Sequence, residues 1–289
     1  MEIEIPDVAL GTSSGQEMAA TLVLAACGFG ASLAVVWLVA RRARRGLPAV
    51  DTRPHAPVPW KGSDVVAATL SFLGFQMLAA GSMPADASLQ MRLAAGSIAM
   101  LAATAVSAAH LLLQGVGWPA LGFGLGRLHD DMRLALAGLV LLLAPLLGLA
   151  ALLDRFVPYR HAIVDFLNAH RDPLSIGLVV FAAVVAAPIA EEFLFRRVLQ
   201  GWLESWLKPR EPRWGGATAI VLSSLAFAAA HVGQGMAWLP LFFFGLVVGY
   251  LARQTGSIVP GIILHGLFNA VSVALVLVQL AAPEMAGRG

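Results

Sequence analysis

Apolar residues in this chain come in long, nearly unbroken runs. They show neither the alternation of a half-buried strand nor the one-faced stripe of a soluble helix. Eight runs approach the about 20 residues that a membrane-spanning helix needs: 18–40, 64–81, 92–113, 133–153, 174–195, 216–233, 237–252 and 257–281. The pattern predicts an all-α fold, a polytopic transmembrane helical bundle of about eight spanning helices. Composition sharpens this reading. Of 289 residues, 58% are hydrophobic and 12% are charged, against about 25% charged in an ordinary soluble domain, which excludes a water-soluble globule.

Lys and Arg between the runs indicate topology, because cytoplasmic loops retain basic residues. Arg41, Arg42, Arg44 and Arg45 directly follow the first run, and an external N-terminus puts 14 of the 19 Lys and Arg residues on the cytoplasmic side. With eight spans the C-terminus also lies outside. Residues 1–17 read as an external tail, acidic and without the basic start of a secretory signal, so the first run reads as an anchor. Residues 18–173 hold transmembrane helices one to four with their loops, 174–281 helices five to eight, and 282–289 a second tail. The Pro- and charge-rich stretch 46–62 reads as a cytoplasmic linker, and glycine-rich 114–132 as a loop or short interfacial helix. The external segment 154–173, with Phe156, Tyr159, Phe166 and Leu167, reads as lying along the membrane surface. Sequence alone shows no internal repeat, no phosphate-binding glycine loop and no separate soluble domain.

The net charge of +2, with basic residues dispersed between apolar runs, excludes nucleic-acid binding as the purpose of the positive charge. Membrane lipid and a peptide or protein are the expected partners. Cys27 is the single cysteine, so the chain can form no internal disulfide and no cysteine metal cage; inside the first run it reads as a buried structural thiol. Sparse lysine beside abundant Ala, Gly and Arg carries the bias of a GC-rich coding sequence and points to a bacterial plasma membrane.

Chemistry enters where polar residues interrupt the later runs. A charged side chain at bilayer depth costs at least about 2.5–3.5 kcal/mol, so an ionisable group there suggests function. The first interruption is Glu191-Glu192-Phe193-Leu194-Phe195-Arg196. On a helix Glu192 and Arg196 stand at i,i+4 and can pair, while Glu191 points about 100° away and stays free for chemistry. Pro188, one turn earlier, can bend the helix and free a carbonyl. The second is Phe227-Ala228-Ala229-Ala230-His231, and the third His265-Gly266-Leu267-Phe268-Asn269; each puts its two end residues on one helix face. Bland alternatives stand beside them: end-of-helix charges for the first, an interfacial histidine for the second, and interhelical hydrogen bonding for the third. Gln76 and His110 have no partner visible in sequence and read as structural. Gly245 and Gly249 form a GxxxG that predicts close helix contact.

The ordered set EExxxR, FxxxH and HxxxN, each on its own apolar helix, resembles the CAAX protease and bacteriocin-processing family of intramembrane endopeptidases, the group that includes the eukaryotic Ras-converting enzyme. The resemblance covers about 174–281, including Phe242 to Ser272. It implies that Glu191 is the catalytic glutamate and His231 its partner in activating water. It implies further that His265 and Asn269 hold the scissile carbonyl as it becomes an oxyanion, with Glu192, Arg196 and Phe227 in support.

These residue types suit amide hydrolysis, which needs a base for water, a donor for the leaving amine and fixed dipoles at the oxyanion. No Ser-His-Asp arrangement is apparent and Cys27 lies in the other half of the chain. The expected mechanism needs no cofactor; the alternative is a catalytic zinc held by Glu191, His231 and His265, the three protein ligands such a site uses. Two other functions remain open from sequence: an ion- or proton-coupled transporter, which would usually show related halves, and an inactive membrane scaffold or immunity protein. Straight spans would place Glu191, His265 and His231 at different depths. For them to meet, helix five must extend past Arg197, or helix six must start later or tilt.

Overall fold

A computed structural model describes residues 15–157 and 162–286, as backbone only at 15–21, 162–163 and 282–286. Most of the acidic start, Tyr159, Arg160 and the last three residues lie outside the described residues. Among those described there is no strand. The helices are α1 (Gly15–Arg44), α2 (Gly62–Gly81), α3 (Leu89–Leu113), α4 (Leu128–Asp154), a short α5 (Ala162–Ala169), a long composite α6 (Pro173–Leu207), α7 (Gly215–Ala229), α8 (Trp238–Thr255) and α9 (Val259–Ala286). Every apolar run therefore became a helix. Six, α1 to α4, α6 and α9, are long and apolar enough to cross a membrane, whereas α7 has only 15 residues.

Burial is inverted relative to a soluble protein. Leu24, Leu33, Met77, Leu78 and Val278 are exposed, while Asp131, Ser175, Glu192, Gln200, Ser223 and Ser224 are buried. Outward apolar side chains and inward polar ones fit a lipid solvent, in which helices associate through close packing and interhelical hydrogen bonds. The protein is an integral membrane protein built as a polytopic helical bundle.

Small residues set the contacts. Gly245 and Gly249 bring α8 onto α7 and α6: a Cβ on Gly245 would meet Ser224, and one on Gly249 would fall 2.7 Å from Gln200 Oε1. This is the close contact that the GxxxG predicts. Helix α1 is peripheral, touching α4 where Gly28 faces Ala144 and the Ser32 hydroxyl donates to the Val140 carbonyl at 2.8 Å. Its position corrects one expectation, because Cys27 is exposed on that outer helix rather than buried.

The connecting segments are more structured than their composition suggests. Residues 46–61 cross the Arg-rich end of the bundle as a strap. Arg53 pairs at 2.5 Å with the fully buried Asp131, and the Trp60 indole N–H donates to the Val198 carbonyl at 3.0 Å. In 114–132 the turn Trp118–Leu121 is helical and buries Leu121, and α4 already begins at Leu128. Helix α5 tucks Phe166 and Leu167 against Val179, Ala183 and Val273 instead of resting both on the surface, while Phe156 is exposed.

Candidate active site

The site is built on α6, whose winding departs from α geometry twice, at Phe181–Ala186 and Glu192–Gln200, where the turns are π-helical. Such turns use i→i+5 bonds and recur at functional sites. Pro188 explains the first: without an N–H it can donate neither to Val184 nor to Ala183. Both carbonyls are then met by α9. Asn269 Nδ2 donates to the Ala183 carbonyl at 2.8 Å, and Gly266 lies so close to the Val184 carbonyl that a Cβ would stand 2.8 Å from its oxygen. The freed backbone of α6 thus fixes the register of α9, and with it the height of His265.

The second change of winding begins between the two glutamates. A π turn rotates less per residue than the 100° of an α-helix, so adjacent carboxylates can address one partner. That partner is His265. Its Nδ1 lies 3.0 Å from Glu192 Oε1, while its Nε2 lies 3.8 Å from Glu191 Oε2. A carboxylate only accepts, so Nδ1 carries the proton donated to Glu192, an assignment made from the bonding pattern. Nε2 is then aimed at Glu191. The imidazole is held edge-on against two aromatic rings, with centroids 5.9 Å from Phe227 and 5.1 Å from Phe244.

Glu192 and Arg196 pair as their spacing predicts, with Oε2 and Nε 3.4 Å apart and both side chains fully buried. The guanidinium also lies over the Phe227 ring at 4.6 Å. Charge is balanced between these two, yet polarity is not satisfied: none of the three Arg196 nitrogens makes a hydrogen bond, nor do Glu192 Oε2 and Glu191 Oε2. Glu191 is the less enclosed acid, its side chain 18% exposed, and among the described residues no Lys or Arg comes within ion-pair distance of it.

The remaining expected residues fall around this cluster unevenly. His231 lies just past the end of α7, half-buried, its Nδ1 bonded to the Phe227 carbonyl at 2.8 Å. No ion pair joins it to Glu191 among the described residues; its ring is tilted against Phe227 at 4.8 Å, so both imidazoles contact the same phenyl ring. The imidazole within ion-pair distance of Glu191 among the described residues is that of His265. Asn269, one turn beyond His265, has one N–H engaged by Ala183. The depth problem is resolved largely by α6, which runs on to Leu207 and brings Glu191 to its middle, and by α7, which stops at Ala229.

Gln76, His110 and Asp64 are satisfied locally. Gln76 donates to the Gly96 carbonyl at 3.3 Å, and His110 and Gln114 both reach Asp64 Oδ1, at 3.2 and 2.8 Å. Sequence reading gave Gln76 and His110 no partner and passed over Asp64, whose signal was its place two residues into an apolar helix. Among the described residues no group of three His, Cys, Asp or Glu side chains is placed to hold a metal ion, and the Nδ1–H of His265 held by Glu192 leaves Nε2 as that ring's free nitrogen.

Helical bundle and buried cluster together define a membrane protein with an acid–imidazole site inside its helices. Comparison adds a likeness over about a third of the chain: residues 173–271, from α6 into α9, match the family model described as Rce1-like, type II CAAX prenyl endopeptidase. This is the family that the three motifs resemble, and the match supports a CAAX-type intramembrane endopeptidase. No curated protein and no solved structure gives a significant match to the chain.

Proposed function

We propose that the protein is an intramembrane endopeptidase that hydrolyses a peptide bond of a membrane-associated protein or peptide with water activated at Glu191. One observation carries this reading: a single imidazole stands between two adjacent carboxylates, of which Glu192 holds the close ion pair with Arg196. Glu192 orients His265 through Nδ1, as a carboxylate orients the imidazole in other hydrolases. A water resting beside the 3.8 Å gap between His265 Nε2 and Glu191 Oε2 touches both. Glu191 takes the proton of that water as it attacks the scissile carbonyl, and the proton then passes by way of Nε2 to the leaving amine.

Oxyanion stabilisation falls to the second N–H of Asn269, which the Ala183 carbonyl leaves free to donate, and to His231 in its doubly protonated form, whose Nε2–H is free while Nδ1–H donates to the Phe227 carbonyl. No step requires a metal. The Arg-rich end is proposed to be cytoplasmic, with both termini outside and a bacterial plasma membrane as the setting. The substrate is cleaved close to the membrane, where the partly exposed Glu191 can be reached.

Two measurements test the proposal together. Membrane proteomics of a deletion strain is expected to reveal uncut precursors, and the purified protein in liposomes is expected to cut the corresponding peptide. Unaltered cleavage by the Glu191→Ala protein removes Glu191 as the base. Solute uptake driven by a pH gradient, without cleavage, favours a proton-coupled carrier instead.

A further inference from the structure

A cavity of about 310 Å³ lies at the Arg-rich end of the bundle, where the strap, α6 and the turn between α8 and α9 meet. Its wall includes Arg196, Arg197, Lys208 and Arg253, with Glu204 as its only carboxylate. Glu204 accepts from Gln200 at 2.9 Å, and Arg197, Lys208 and Arg253 against this one acid leave the cavity positive even with Arg196 paired to Glu192. Arg197 is fixed by the Ala120 carbonyl and by the Trp60 ring 5.5 Å away. Arg253 crosses directly over Gly216, where any Cβ would collide with its guanidinium.

Arg196 supplies the second, independent observation. Its side chain is fully buried and its three nitrogens have no hydrogen-bond partner. The ion pair with Glu192 offsets its charge but leaves the donors unused. Buried donors nearly always find an acceptor, and a guanidinium offers five in a fork matched to a planar or tetrahedral oxyanion. A set of unused donors beside a positive cavity is the half of a binding site that the protein provides.

We propose that this cavity binds a phosphate group, that of an anionic phospholipid headgroup. The location favours lipid as the source. Trp206 and Trp214 are exposed at the same end of the bundle, and tryptophan marks the headgroup level of a membrane. Basic pockets between helices at that level suit anionic headgroups, and the exposed Lys208 stands at the mouth to receive one.

The test uses the full chain, stripped of lipid in neutral detergent and titrated with phosphatidylglycerol, phosphatidylcholine or inorganic phosphate, with native mass spectrometry and thermal shift as readouts. Phosphatidylglycerol is expected to bind and raise the melting temperature, phosphatidylcholine to do neither, and inorganic phosphate to displace the anionic lipid. Lys208→Gln and Arg253→Gln should each weaken binding roughly fivefold, and Glu204→Gln should strengthen it. Retention of phosphatidylglycerol assigns the site to lipid; binding of inorganic phosphate alone keeps the phosphate chemistry and assigns a free anion. The proposal is overturned if neither phosphate compound binds, or if Lys208→Gln, at the exposed mouth where folding is not at stake, leaves affinity unchanged. It is equally overturned if only a peptide with a free C-terminal carboxylate binds and its amide does not. None of these readouts is cleavage, so the outcome is independent of the protease reading.

Discussion

Two buried carboxylate clusters in this bundle have similar ingredients and opposite accounting. At the start of α2, Asp64 accepts from the Lys61 backbone N–H at 2.8 Å, from Gln114 at 2.8 Å, and contacts His110 at 3.2 Å. In the middle of α6, Glu191 and Glu192 also meet a histidine, but one oxygen of each, together with all of the Arg196 donors, has no hydrogen bond. The first cluster closes on itself and ties α2 to α3. The second is left open, and in a low-dielectric interior an unmet polar group is costly, so it is the cluster whose persistence calls for a function.

The comparison can be broken by substitution. Glu191→Gln keeps the shape of the side chain and removes the proposed base, so cleavage should fall by about 10²–10⁴-fold while the melting temperature hardly moves; equal losses of both would make Glu191 structural. Glu192→Gln strands a buried guanidinium, and removing one partner of such a pair costs about 3–5 kcal/mol. Pairing it with Arg196→Met should restore most of that stability in thermal denaturation without restoring cleavage. Asn269→Ala leaves the Ala183 carbonyl without its donor and should lower stability by about 1–3 kcal/mol along with activity. In the closed cluster, Asp64→Asn should cost on the order of 1 kcal/mol and leave kcat unchanged; a large loss of kcat would erase the distinction between the two clusters.

The smallest effect concerns pH. Asp172 caps α6, and the hydroxyl and backbone N–H of Ser175 both donate to it, at 2.6 and 3.1 Å, holding its carboxyl below the ordinary value. A depressed pKa means that the folded form keeps the carboxylate at a pH where the unfolded chain takes up a proton. The contribution is therefore present above the ordinary carboxyl pKa and is lost as pH falls through the lowered one. Acid titration of thermal stability should show a shallower decline for Asp172→Asn than for the unaltered protein.

Much of this was legible without coordinates, for identifiable reasons. Membrane helices announce themselves through length and apolarity alone, so all eight runs became helices, and the Glu192–Arg196 and GxxxG contacts follow from helical spacing. What escaped was anything dependent on departures from the regular α-helix. Adjacent Glu191 and Glu192 cannot share a partner on ideal geometry; the π turn beginning at Glu192 allows it, and no residue pattern signals that turn. Pairing across helices was hidden as well, so His265 beside Glu191, and Asp64 beside His110, could not be read from separations of 46 to 74 residues along the chain. Cys27 was misplaced because an apolar run reads the same whether it faces neighbouring helices or lipid.

The brevity of α7 has a consequence for the surroundings of the protein. Fifteen residues cover about 22 Å, whereas the hydrocarbon layer is about 30 Å deep. Acyl chains flanking that helix face a wall several ångströms too low, and the mismatch is relieved by a local dip in the bilayer. Such a dip lowers the surface toward His231 and shortens the distance an extended polypeptide would travel from the aqueous side.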